Sequence, residues 1–255
     1  MDENRKGDSI SSMPPQYDLD KLKFATDGPT FEKAVALYEG GKVKDFRQDP
    51  FGYSARIRGS EPTPYEVSVS AKHYDRGACT CYLGREDILC KHMVAVALYA
   101  LKRGDKLTED EKRLVSEPVS SGKVGELGRA ELSEIKRAVS AAMRCIKSYD
   151  GPSHTWFAYQ NSLSEGCNRL SKIVSELPVG VSTARMLIEL LLRLDEKLSR
   201  GGVDDSDGTV GGFVEETVAV LQDYAKLVPE CKKEFETLKN RETCFGWEEP
   251  MVKLL

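Results

Sequence analysis

The pattern that most constrains this chain is Cys79-Thr80-Cys81, eight intervening residues, then Cys90-Lys91-His92. Residues two apart on an extended strand point to the same side, so Cys79 and Cys81 can converge on one point. Inside a regular helix two steps turn a side chain by about 200°, so Cys90 must precede a helix and His92 must sit in its first turn. The free N–H groups of such a helix start favour thiolates. Four sulfur and imidazole ligands leave no open coordination position, which is the composition of a structural zinc site. A catalytic zinc would need a vacant or water-bound position, and C-x-C lacks the C-x-x-C form of a redox pair. The expectation is one structural Zn²⁺ held by Cys79, Cys81, Cys90 and His92. His73 is a spare imidazole outside a set already complete.

The other four of the seven cysteines, Cys145, Cys167, Cys231 and Cys244, are scattered as core thiols are. With no export signal in view, an odd cysteine count argues for a reducing, intracellular setting rather than a disulfide framework. The longest uncharged apolar run, Met93 to Leu101, is far short of the roughly 20 residues a membrane span needs. A net charge of -4 argues against coating nucleic acid through bulk charge.

Residues 1–20 mix both signs of charge around Ser and Pro and read as a disordered tail. The zinc-finger domain is placed at 21–110. Within it Phe31–Tyr38 reads as a helix closed by Gly40-Gly41. GYSARIRG and YEVSVSA read as strands, the second by alternation of Tyr65, Val67 and Val69 with Glu66, Ser68 and Ser70. MVAVALYALKRG reads as a helix stopped by Gly104. A Ser/Gly/Pro-rich linker occupies 111–128, and an all-helical domain 129–255. Four apolar stripes at spacings of three and four mark its helices: Leu132 to Ile146, Trp156 to Leu177, Leu187 to Leu198, and Val214 to Val228. The fold class is α+β, a small ββα zinc module followed by a helical bundle or short helical array.

C-x-C, a variable loop, then C-x-H running into an apolar helix resembles the SWIM zinc finger family, as do the preceding SARIRGSEPTPYEVSVS and the following CKHMVAVALYALK. The resemblance covers residues 40–104 and implies a ββα zinc module with Cys79, Cys81, Cys90 and His92 as ligands. It also implies protein-interaction or DNA-binding roles. Tyr82 stands where many members have Pro, at a position that is not a ligand. The helical half is similar to the C-terminal extension of prokaryotic SWIM proteins.

Residues 40–106 hold 12 Lys/Arg against 8 Asp/Glu, and residues 201–255 hold 6 against 12. The basic side chains of the first part, Arg56, Arg58, Lys72, Arg76, Arg85, Lys91, Lys102 and Arg103, are candidates for nucleic-acid contact, with Tyr74 and Tyr82 available to stack on bases. The competing reading has Arg76, Arg85 and Lys91 offsetting a negative zinc–thiolate centre, and the rest solvated. Asp204-Asp205-Ser206-Asp207-Gly208 fails the EF-hand register, since Gly208 at position 6 puts Val203 and Val214 at positions 1 and 12. An acidic turn ahead of a helix is expected there. His154 reads as a packed or capping residue, Trp247 as an anchor for the tail, and no Gly-rich phosphate loop is present. The functional expectation is a non-catalytic zinc-binding adaptor with a protein partner, not an enzyme, without membrane or small-molecule substrate. A DNA-binding protein of recombination, repair or transposition is the alternative.

Overall fold

The computed structural model describes residues 14–255, apart from the side chains of His154 and Phe157. The expected tail thus lies outside the described residues over 1–13, as does the expected role of the His154 side chain. Two compact units divide between Leu114 and Val115.

The first unit opens with two helices, α1 (Leu19–Phe24) and α2 (Gly28–Glu39). Each is started by an aspartate whose carboxylate accepts a backbone N–H of the first turn, Asp18 from Lys21 and Asp27 from Thr30. A four-stranded antiparallel sheet follows in chain order, β1 (Val43–Gln48), β2 (Gly52–Ile57), β3 (Tyr65–Ser70) and β4 (Gly77–Cys79). Then come α3 (Tyr82–Arg85), α4 (Lys91–Lys102) and α5 (Glu109–Lys112). Strand alternation sends Tyr53, Ala55, Ile57, Val67 and Val69 into the core and leaves Arg56, Glu66 and Ser68 exposed on the opposite face. Helix α4 packs on the buried face of the sheet, and α2 packs on α4. With neighbours on both sides α4 has no solvent stripe, which is why His92–Leu98 are buried without interruption. Its end is stitched to α2: the Tyr38 hydroxyl donates to the Asp105 carbonyl at 2.7 Å and accepts the Gly104 N–H at 3.0 Å.

This is more than the expected ββα module. A bulge between Lys44 and Arg47, with Asp45 at φ 51°, breaks the alternation that would have revealed β1, and β4 has only three residues. The expected tail also ends early. Tyr17 is buried with its ring edge-on to Tyr74 at 5.5 Å, and α1 starts at Leu19. One aromatic pair in a core outweighs the polar composition around it.

The second unit is helical: α6 (Arg129–Ala142), α7 (Trp156–Glu176), α8 (Val181–Ser199), α9 (Thr209–Leu227), α10 (Lys232–Phe235) and α11 (Glu249–Val252). Helix α9 packs against both α7 and α8, and α6 against α7. The stripes on α7, α8 and α9 are core, with Leu163, Leu170, Leu187, Leu191, Leu194, Val214 and Leu221 all buried. Only the end of the first stripe is buried, from Val139 through Ile146, while Leu132 and Ile135 are half-buried and Ala138 is exposed. Residues 116–125, expected as linker, are tied to this unit instead. Val119 N–H donates to Ser175 Oγ, Ser121 Oγ to the Leu177 carbonyl, and Val124 bridges Val179. Trp247 anchors the tail as expected, buried with its indole N–H donating to Asp195 at 3.0 Å. Among the described residues no helix is long and apolar enough to cross a membrane.

Candidate metal centre

The site forms where β4 ends and α4 begins. Cys79 closes β4 and, paired with Val67, points to the face that α4 covers. Cys81 is not on a strand, as its spacing from Cys79 suggests. It is extended (φ -72°, ψ 169°) and forms the N-cap of α3. Thr80 between them is fastened to β3, its N–H donating to the Glu66 carbonyl and its hydroxyl accepting the Glu66 N–H, both at 3.1 Å. Cys90 is the N-cap of α4 (φ -123°, ψ 161°), and His92 lies in the first turn. That is the placement the two-residue spacing requires.

The four side chains converge, with one ligand atom from each lying within 4.8 Å of the others. His92 presents Nδ1, which is 3.7 Å from Cys79 Sγ and 3.9 Å from Cys90 Sγ. All four residues are at most 8% exposed, a closed donor set that can hold a metal ion. Among the described residues no other group of Cys, His, Asp and Glu side chains is so placed. Cys145, Cys167, Cys231 and Cys244 are elsewhere, in the helical unit, and His73 is exposed in the β3–β4 turn.

Hydrogen bonds act on the sulfurs in opposite directions. The Gly84 N–H donates to Cys81 Sγ at 3.4 Å. A hydrogen bond from Cys79 pulls the Cys90 thiol well below its ordinary pKa, against the cost of burial; His92 and the Met93 N–H at the start of α4 pull the same way. The proton retained on Cys79 raises that thiol in turn. Gly84 is a part of the site the spacing did not reveal. A Cβ there would lie 2.4 Å from the Cys79 carbonyl oxygen and 2.5 Å from Cys79 Cβ, so only glycine lets α3 fold back onto β4. On the far side, His92 Nε2 is buried with no hydrogen-bond partner among the described residues, and the ring lies against Tyr65 at 4.4 Å. Gly59 leaves room for that contact, since a Cβ there would meet the Tyr65 ring at 2.5 Å.

The eight basic candidates have different local partners. Lys102 is paired with Glu111 at 2.9 Å. The Arg103 guanidinium donates to Gln48 at 2.9 Å and covers the rings of Phe46 and Tyr53 at 5.3 and 5.8 Å. Arg56 stands between Asp45 at 3.5 Å and Glu66 at 4.0 Å. Arg58 lines a cavity with Lys42 and Lys44, two cations absent from the sequence-based set. Lys72 and Arg76 are exposed in the β3–β4 turn, Arg85 ends α3, and Lys91 opens α4. Among the described residues none of Arg76, Arg85 and Lys91 hydrogen-bonds a sulfur of the cluster; the Gly84 N–H does. Tyr74 is 3% exposed, so its ring face is closed to a base, and its hydroxyl is within hydrogen-bonding distance of Thr26 (3.3 Å); Tyr82, 79% exposed, remains available.

The acidic loop is accounted for by helix capping. Asp205 accepts the N–H groups of Val210 and Gly211 at 2.7 and 2.8 Å, Asp207 that of Thr209 at 3.1 Å, and Asp204 the Trp156 indole N–H at 3.0 Å. Compared with protein-family models, with curated proteins and with solved structures, the chain finds no match in any of the three.

Proposed function

We propose that this chain is a non-catalytic adaptor of the SWIM type, organised around one structural zinc ion on Cys79, Cys81, Cys90 and His92. The observation that carries the reading is the closed, buried set of three sulfurs and one imidazole nitrogen. Bond lengths of about 2.3 Å to sulfur and 2.0 Å to nitrogen give tetrahedral edges of about 3.5 Å between S and N. The Nδ1–Sγ distances of 3.7 and 3.9 Å are slightly longer than those edges, so a small contraction would close the set on an ion. Thiolate and imidazole donors suit zinc over the oxygen-seeking cations. With every position filled by protein, the ion braces β4, α3 and α4 and has no site left for substrate or water. Metal analysis of the purified chain tests this: one zinc per chain is expected, lost in Cys90→Ser. A cobalt-substituted form should show the spectrum of a tetrahedral thiolate site. An octahedral spectrum, or full zinc retention by Cys90→Ser, would refute the ligand set.

Direct binding to DNA is a second reading, favoured by exposed Tyr82 and Arg85 on the same short helix. Its test is the salt dependence of affinity, since log K falls linearly with log salt when phosphates are bound. No shift of a DNA probe at low salt removes it.

A further inference from the structure

The face of the sheet turned away from α4 carries a groove of about 540 Å³. Its floor is a row of small side chains, Ser54, Ser68 and Ala78, paired across β2, β3 and β4. Arg47, paired with Ser54 in the β1–β2 register, stands at one end of the row, and Arg85 on α3 lines the groove beside β4. Both arginines are exposed, and neither guanidinium has a hydrogen bond or ion pair among the described residues. Arg56 lies in the same groove, held between Asp45 and Glu66. From Arg47 on β1 to Ala78 on β4 is three strand spacings, about 14 Å.

Unpaired guanidinium groups over a floor of small and hydroxyl side chains accept planar oxyanions through paired hydrogen bonds. The two carboxylates in the groove repel a continuous polyanion and leave separate cationic positions at Arg47 and Arg85. That sign pattern matches a peptide with spaced acidic side chains and opposes a phosphate backbone.

We propose that this groove docks an extended acidic segment of a partner protein, with two carboxylates about four residues apart meeting Arg47 and Arg85, given about 3.3 Å per extended residue. The adaptor reading supplies the kind of partner. The metal centre supplies one wall, because α3, which carries Arg85, is fastened by Cys81 and by the approach of Gly84 to Cys79.

The test is fluorescence anisotropy on the zinc-loaded full chain. The probe is a fluorescein-labelled peptide of Gly and Ser with two glutamates four positions apart. The same peptide with glutamines and a deoxythymidine oligomer of equal length complete the set. The glutamate peptide should bind, the glutamine peptide should not, and Arg47→Ala and Arg85→Ala should each weaken binding about fivefold to tenfold. Arg76→Ala, outside the groove, should leave it unchanged, and all three variants should keep the wild-type metal content and circular dichroism. Absence of binding by the glutamate peptide, indifference to both groove arginines, or tighter binding of the oligomer overturns the proposal. A chain without zinc whose peptide binding still depends on Arg47 and Arg85 would refute the metal reading and uphold the groove.

Discussion

Gly84→Ala places one methyl group against a candidate metal ligand. Its Cβ would arrive 2.4 Å from the Cys79 carbonyl oxygen and 2.5 Å from Cys79 Cβ. Ordinary contact for a Cβ begins at 3.4 Å, so α3 and the end of β4 must separate by roughly 1 Å. The atoms it meets are backbone and the root of a ligand side chain, so neither can swing aside. Gly84 does not adopt a positive φ, which makes the effect steric rather than conformational. Metal sites tolerate about 0.2 Å of error in ligand distance, and disturbing the groups that hold ligands costs about 10- to 100-fold in affinity. We therefore expect zinc affinity to fall by about that factor in competition with a chromogenic chelator, and the N-H to Cys81 Sγ bond to weaken with it. Gly212→Ala is the control. Its Cβ meets nothing within 4 Å in the first turn of α9, so it should leave zinc affinity unchanged and stabilise the helical unit by about 0.5–1 kcal/mol. Wild-type zinc affinity in Gly84→Ala would show that the approach of α3 to Cys79 does not position the ligands.

Cys90→Ser should abolish stoichiometric zinc and unfold the sheet unit while sparing much of the helical circular dichroism, since structural zinc supplies on the order of 10 kcal/mol of folding free energy. Cys145→Ala should leave metal content untouched. Glu234, 12% exposed, takes two hydrogen bonds of 2.8 Å from Arg185, which hold its carboxyl below the ordinary range. A carboxylate pKa lowered by folding adds stability above its unfolded value and loses it as pH falls through the folded one. The gap in melting temperature between wild type and Glu234→Gln should thus be constant near neutrality, worth up to about 1 kcal/mol given the exposed arginine, and close below about pH 4. A gap unchanged at pH 3 contradicts the assignment. Trp247→Phe should cost about 1 kcal/mol in thermal or denaturant unfolding by removing one of the two N–H donors to Asp195 Oδ1, the other being the Cys244 N–H at 2.7 Å.

Much of the fold was readable because local patterns carried it. Period-two alternation located β2 and β3, and periods of three and four located α7, α8 and α9, since one-sided burial leaves that trace in a sequence. Helix α6 shows the limit of the same logic: its first half has the stripe, but few neighbours cover it. Residues 116–125 have the composition of a linker, yet their carbonyls and N–H groups find partners on α7 and ahead of α8. Composition records how a segment meets water and says nothing of which backbone groups it meets in the folded chain.

By itself the sequence determined that three thiols and an imidazole would flank the start of a helix, because helical geometry forbids the Cys90–His92 spacing anywhere else. Only the tertiary structure decided that these side chains meet within reach of one ion, that Gly84 must be small for them to do so, and that Arg47 and Arg85 share a groove. Those relations join residues far apart in the chain through strand register and a bulge. Distance along a polymer does not encode distance across a sheet.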